Sequence, residues 1–325
     1  MSASAGSPSQ DDPAPLRSGA SRRGLTAFQL IVLIGACVAF TACAILNRAA
    51  TFAGLILLIQ LSFLCLAGWR ILLIWVSRAP PPAPTWTDDL PRYTIMAALH
   101  DEAEVVAQLI ERLSEIDYPH DRLEGFLLLE AHDLETQDAA LACDRPDWLR
   151  ILIVPPGTPR TKPRALNHGL ALATGELLTI YDAEDDPDPL QLREAASRFA
   201  ETGMADTACL QSPLRIRRRN PGLNASPFLD RQFAVEYAAL FEVTLPAMAR
   251  LGLPFPLGGT SNHFRVDMLR AVGGWDAWNV TEDADLGFRL WRAGWRLGVL
   301  RRPTYETPPG SLAYWLPQRV RWLKG

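Results

Sequence analysis

Lysine is nearly missing from this chain: Lys162 and Lys324 are the only two among 325 residues. The basic side is otherwise arginine, and the formal net charge is -4. No basic excess is left to hold a phosphodiester backbone, which argues against nucleic acid as a partner. Cysteine is sparse too. Cys37, Cys43, Cys65, Cys143 and Cys209 are scattered with no C-x-x-C, which excludes a disulfide framework and a cysteine-built zinc site and suits a reducing compartment. No internal repeat is visible.

The third shortage is of charge. None occurs from Gly24 to Asn47 or from Ala49 to Trp69. Each run, as a helix, is long enough to cross about 30 Å of hydrocarbon. The continuation Ile71 to Val76 reads as an interfacial end, with Arg70 and Arg78 reaching the headgroups and Trp69 and Trp75 among them. A signal peptide followed by a core helix is the alternative, but the first run is long and lacks a small-residue cleavage site. Arg17, Arg22 and Arg23 precede the pair and Arg70 and Arg78 end it, while only Arg48 sits in the turn. The positive-inside rule then puts both ends, and everything downstream, in the cytoplasm of a bacterial-type inner membrane.

What is there falls into segments. Residues 1–23, rich in Ser, Ala, Pro and Gly, read as a disordered tail. Residues 24–78 form the membrane hairpin. Residues 79–92 begin Ala-Pro-Pro-Pro-Ala-Pro and read as a stiff linker. From residue 93 strand and helix signals alternate. Tyr93 to Leu99, Phe126 to Leu129, Ile151 to Val154 and Leu177 to Tyr181 read as strands. Between the first two, Val105, Val106, Leu109, Ile110, Leu113 and Ile116 recur at helical spacing, with Asp101 as the expected cap. The alternation predicts an α/β domain with a parallel sheet, helices on both faces and ligands at the carboxyl ends of the strands.

Acidic groups emerge at one such end. Asp182, Glu184 and Asp185 follow the strand Leu177 to Tyr181. Alternate residues of an extended segment share a face, so Asp182 and Glu184 can approach one hard cation, Mg²⁺ or Mn²⁺, that would bridge a diphosphate. A solvated acidic turn is the plainer reading. Thr281, Glu282, Asp283 and Asp285 open a helix whose apolar face includes Leu286, Phe288 and Leu290. Either these are a cap and dipole-favoured acids, or Asp283 is a general base for an acceptor hydroxyl. Gln318, Arg321 and Trp322 lie at i, i+3 and i+4 and share a helix face. That face suits a diphosphate and a sugar ring, or equally an amphipathic interfacial helix with Arg319, Arg321 and Lys324.

Smaller signals accompany these. Lys162 stands at a helix start, where a phosphate contact and a solvated surface are both open readings. Gly258 to Asn262 is a turn where backbone can approach a ligand. The segments His100-Asp101-Glu102 and Glu130 to Asp133 end successive strands at one edge, suiting a nucleoside or plain loop chemistry. His100 and His132 match no familiar metal-ligand spacing.

Taken in order, Asp182-Ala183-Glu184-Asp185, Thr281-Glu282-Asp283 and Gln318-Arg319-Val320-Arg321-Trp322 resemble the processive, membrane-bound family 2 glycosyltransferases of the cellulose-synthase-like group. Gly258 to Arg265 and Gly273 to Asp276 add to the likeness, which covers about Tyr93 to Gly325 and the hairpin. The resemblance implies a Rossmann-like GT-A domain over residues 93–325. It also implies an inverting, metal-dependent hexosyltransferase that moves sugar from a nucleotide-sugar, UDP-linked, to a growing polysaccharide. Asp283 would be the base, and Asp182 with Glu184 or Asp185 would place the metal. Gln318, Arg321, Trp322 and Glu282 would hold acceptor end and diphosphate; Lys162, Glu130, Asp133 and His100 would hold the donor. Partners would be the donor, a glycan acceptor, the bilayer and other subunits of a polysaccharide synthesis or export complex. Where the group has D-x-D and a D-D-G turn, this chain has D-x-E and Glu130-Ala131-His132-Asp133. Members also continue past the Q-x-x-R-W run into further membrane helices, so the chain is expected to carry the catalytic half without the translocating half. A single-addition transferase to lipid or protein, and a catalytically dead nucleotide-sugar-binding or assembly subunit, are the competing readings.

Overall fold

The computed structural model describes residues 26–217, 227–309 and 311–323. The tail expected over residues 1–23 lies outside them, as do Lys324 and Gly325. Two long helices open the described chain, α1 (Ala27–Leu46) and α2 (Arg48–Ser77). Their most apolar stretches have mean hydropathies of 2.4 and 2.2 and bury nothing against protein, so both are long and apolar enough to cross a membrane. Asn47 makes the reversal, its side chain accepting from the Ala50 amide at 3.0 Å. The interfacial segment expected after Trp69 is the unbroken end of α2.

The α/β part follows as β1 (Tyr93–Leu99), α3 (Val106–Ser114), β2 (Leu123–Glu130), α4 (Leu134–Ala142), β3 (Leu149–Val154), α5 (Lys162–Leu172) and β4 (Leu177–Tyr181). Next come β5 (Asp186–Pro187), α6 (Gln191–Ala200), β6 (Thr207–Gln211) and β7 (Leu214–Ile216). Then α7 (Pro227–Tyr237) runs through a π-helical turn into α8 (Leu245–Arg250). The chain ends with β8 (Asn262–Arg265), α9 (Val266–Ala271), α10 (Glu282–Arg292), β9 (Arg296–Val299), β10 (Thr304–Glu306) and α11 (Leu312–Trp322). The main sheet has the order β3-β2-β1-β4-β8-β6-β9, and a small one the order β5-β10-β7.

Strands β1 to β4 pair in parallel, as alternation with helices predicts. The fully parallel sheet does not extend further, because β8 runs antiparallel to both β4 and β6. A strand reached from a turn, rather than over a helical crossover, is free to reverse, and β8 is entered from the turn Gly258 to Ser261. Period-two alternation splits the core between the two faces. Ile95, Ala97 and Leu99 pack with Leu109, Leu113 and Phe199, while Met96 and Leu128 pack with Leu166, Leu170 and Phe264.

Three local expectations change. Asp101 does not cap α3; it sits at φ 58° and its amide donates to Asp133 Oδ2 at 2.8 Å. Helix α3 instead starts after Val105 with no side-chain cap, held by burial of Val106, Leu109, Ile110 and Leu113. Phe288 faces solvent on α10, whose buried side chains are Leu286 and Leu290. The proline-rich linker lies along the domain rather than standing free of it. Amides of Thr85 and Thr87 donate to Glu201 and Ser197 of α6, and Arg250 of α8 donates to the carbonyls of Val76 and Pro80.

Helix α10, which carries the second acidic motif, is pressed against backbone at Gly287. A methyl there would meet the Phe255 carbonyl oxygen at 2.5 Å. Gly287→Ala should therefore destabilise the domain by about 1–3 kcal/mol through overpacking. Thermal denaturation checks this, and an unchanged Tm would count against the packing of α10 described here.

Candidate functional site

Strand β4 is buried along its whole length and delivers Asp182 to the carboxyl edge of the sheet. The turn that follows is pinned from inside. Asp185 is fully buried, accepts from the Asp182 amide at 2.7 Å through Oδ2, and accepts from the Thr260 hydroxyl through the same oxygen. Arg112 of α3 donates to the carbonyls of Glu184 and Asp185 at 2.7 and 2.9 Å. Of the three acids expected around a cation, Asp185 thus turns into the protein, whereas the Asp182 side chain stays 38% exposed.

Other elements converge on Asp182. Lys162, first residue of α5, places its ammonium against Asp182 Oδ1 and donates to the Gly259 carbonyl at 2.7 Å. Gly259 also borders Asp283 at the start of α10, whose Oδ2 lies 3.3 Å from where a Cβ on Gly259 would stand. Glycine at 259 therefore leaves the space beside the Asp283 carboxyl open. Thr281 flanks α10, but its side chain does not cap it and pairs with Asn279 instead. Asp285 pairs with Arg289 at one helical turn's spacing.

Crowded carboxyls hold their protons tightly here. Burial raises Glu184, Glu282 and Asp283 above the usual carboxylate range, with repulsion from Asp182 adding to each. Glu102 is pushed up to about 7 and Glu306 to about 8, again by burial and then by Asp182. Burial works against the Lys162 ammonium, yet the Asp182 carboxylate beside it raises its pKa. Glu102 belongs to the strand-end segment read for nucleoside contact, but its place beside Asp182 was not legible there, and Glu306 did not stand out in the sequence. Glu306 comes from β10, far along the chain from Asp182, with no spacing that ties them.

Oxygen donors at an acidic edge where Lys162 is the one direct counter-charge on Asp182 among the described residues match a hard divalent ion. Among the described residues no three His, Cys, Asp or Glu side chains converge on one point. A cation at Asp182 and Glu184 would therefore draw further oxygens from water or a phosphate.

The last motif is helical as expected, in α11. Arg319, not Arg321, makes its ion pair, with Glu236 of α7, and stacks its guanidinium on Phe233, Trp315 and Trp322. The Trp322 ring lies over Phe233, with centroids 6.5 Å apart. Gln318 Oε1 is buried without a partner, and Arg321 has no ion pair among the described residues. At the β1 and β2 ends, His100 and His132 bring their Nε2 atoms to 3.2 Å. Glu130 is engaged by Arg164 at 2.6 Å, and Asp133 caps α4 through Thr136. Backbone and side-chain donors from Asp101 and Thr136 outweigh burial and lower the Asp133 pKa. These two acids are thus partly spent on structure.

A family profile described as "Glycosyltransferase like family 2" matches residues 91–325. Among curated proteins the chain is 24% identical to the probable glycosyltransferase YdaM of Bacillus subtilis (strain 168), over 74% of this chain and 57% of that one. It is 27% identical to a beta-monoglucosyldiacylglycerol synthase of Synechocystis sp., over 81% of this chain and 54% of that one. It is also 27% identical to the UDP-forming cellulose synthase catalytic subunit of Komagataeibacter sucrofermentans, over 77% and 32%. The chain spans about half the length of the first two relatives. In fold it is similar to the mannosyltransferase PcManGT of Pyrobaculum calidifontis, solved with GDP-Man and Mn²⁺, with a TM-score of 0.59, 22% identity, and 87% and 72% coverage. The fold is accordingly of the GT-A type, with a mixed sheet.

The raised carboxyls predict a pH dependence of known sign. Between about 4.5 and about 8 the folded chain keeps the Glu306 proton that the unfolded chain has released. Stability in chelator should therefore fall as pH rises across that window. Glu306→Gln should flatten the slope in a series of thermal melts, and a slope that rises with pH would contradict the crowding described.

Proposed function

The chain belongs to the family 2 glycosyltransferases, and from that premise we propose that it moves a sugar from a nucleotide-sugar onto an acceptor hydroxyl at a membrane face. The observation that carries this reading is the gathering of Asp182 and Asp283 around Lys162 and Gly259: Lys162 lies against Asp182 and donates to the Gly259 carbonyl, and Asp283 borders the same glycine. Asp283 is the base. Its raised pKa makes it a better proton acceptor than an ordinary aspartate, and it takes the proton of the acceptor hydroxyl. The acceptor oxygen then bonds to the anomeric carbon from the face opposite the leaving group. The bond to the nucleoside diphosphate breaks, its electron pair leaves with the phosphate, and the anomeric centre inverts.

Asp182 and Glu184 would hold Mg²⁺ or Mn²⁺, which when bound offsets the charge growing on the diphosphate. Lys162 holds the donor phosphates, exchanging its contact with Asp182 for a phosphate oxygen. Arg321, which has no ion pair among the described residues, has donors for the diphosphate, the unpartnered Gln318 Oε1 can accept from an acceptor hydroxyl, and Trp322 offers its exposed part to a sugar ring. Glu282 lines the same space. His100, Glu130 and Asp133 lie on the nucleoside side, with His100 the most open of them.

For the domains, we read residues 24–78 as a membrane-spanning hairpin, 79–92 as its linker and 93–325 as the catalytic unit. Arginines at both ends of the hairpin support a cytoplasmic site. Relatives named for diacylglycerol glycosylation and for cellulose synthesis both match, which supports a lipid or a polysaccharide end as the acceptor.

Detergent-solubilised protein supplied with Mn²⁺ and UDP-sugars should release UDP. Asp283→Asn should cut that release by about 10²–10⁴-fold, the usual worth of a positioned general base. Release indifferent to this substitution would remove Asp283 from the role. Product length separates the acceptors: single additions support a lipid, ladders a polymer.

A further inference from the structure

The acidic turn at the end of β4 is tied to the middle of the protein by a continuous chain of buried polar side chains. It begins at Tyr93, whose hydroxyl lies 2.6 Å from His263 Nδ1. His263 Nε2 lies 3.1 Å from Gln191 Oε1, which also accepts from Tyr181 at 2.8 Å. Gln191 Nε2 donates to the Arg302 carbonyl and to Thr304 Oγ1, at 3.2 and 3.1 Å. Ser261 donates to the same threonine oxygen at 2.6 Å. Its neighbour Thr260 reaches Asp185, and Asp185 holds the Asp182 amide.

Proton positions along the first part of this chain are determined. A carbonyl only accepts, so the Gln191 atom facing Arg302 is its NH₂ and the other is its oxygen. His263, held neutral by burial that lowers its pKa to about 3, then carries its proton on Nε2, which faces Gln191 Oε1 at 3.1 Å and the Ser212 hydroxyl oxygen at 3.2 Å, both able to accept. Nδ1 is left as an acceptor, and Tyr93 donates to it. Every residue from Tyr93 to Asp185 in this chain is buried, and the backbone at Ser261 is held at φ 57°, a conformation that costs a non-glycine residue about 1 kcal/mol or more. That strain directs the Ser261 amide to the Ile180 carbonyl at 2.8 Å while the Thr260 hydroxyl faces Asp185.

We propose that Thr260 and Asp185 are positioning residues for the metal-binding carboxylate: their hydrogen bonds fix the Asp182 backbone and so the direction in which Asp182 meets the cation. This rests on the metal reading above and assigns Asp185 a different task from Asp182 and Glu184. An acid used in this way needs no contact with substrate. Its Oδ2 already serves two donors, and its Oδ1 is buried away from solvent.

The test measures Mn²⁺ affinity directly, by electron paramagnetic resonance on the detergent-solubilised full chain with UDP present and no turnover. Thr260→Val removes the hydroxyl and should weaken Mn²⁺ binding about tenfold, equivalent to about 1.4 kcal/mol. Thr260→Ser restores the hydroxyl and should return the affinity to within about threefold of the parent. Tyr93→Phe, at the remote end, also removes a buried hydrogen bond and should lower Tm while leaving Mn²⁺ affinity unchanged. If Thr260→Val does not fold, Asp185→Leu measured against Asp185→Asn, which keeps an acceptor for the Asp182 amide, carries the same comparison. Parent-like affinity in Thr260→Val, or equal weakening in Tyr93→Phe, overturns the positioning role and leaves the metal reading standing. A parent chain that binds no Mn²⁺ overturns both.

Discussion

Like charge crowded at the carboxyl end of β4 is the constraint that the surrounding structure has to satisfy. Asp182, Glu184, Glu282, Asp283 and Glu306 act on one another through a half-buried space, and burial raises the cost of ionising nearly all of them. One lysine ammonium, that of Lys162, answers this charge directly. Of the arginines near the turn, Arg112 donates to the carbonyls of Glu184 and Asp185, and it and Arg217 pair with Asp186 at the edge of the cluster. Such a site is stable only as a compromise and gains from any ligand that brings positive charge.

The scaffold behind it is built to hold that compromise still. Asp185 lies beneath the turn and the chain of hydroxyls, amide and imidazole extends from it to Tyr93. Buried polar groups of this kind stabilise only when every member is paired, and most of these are. The last helix is packed less fully. Helix α11 leans on α7 through Arg319 and Glu236, with most of its apolar residues exposed.

The hairpin is joined to this unit by specific hydrogen bonds. Arg250 closes the last carbonyls of α2 and the linker, and α6 takes up the linker amides. The orientation of the sheet relative to α2 is thereby set by side chains of the domain and not by the proline spacer alone.

Much of this was legible in residue order. Apolar runs free of charge gave the two long helices. Alternation of Tyr93 to Leu99 with the helical spacing of Val106 to Leu113 gave the parallel half of the sheet, because local periodicity reports which side a residue buries. The ordered acidic and Q-x-x-R-W motifs pointed to the family. Only tertiary structure decided the antiparallel course of β8, the inward turn of Asp185, the choice of Arg319 over Arg321 for the ion pair, and the arrival of Glu306 beside Asp182. Each of these depends on which distant segment fills the neighbouring space, and sequence spacing carries no record of contacts between segments so far apart along the chain.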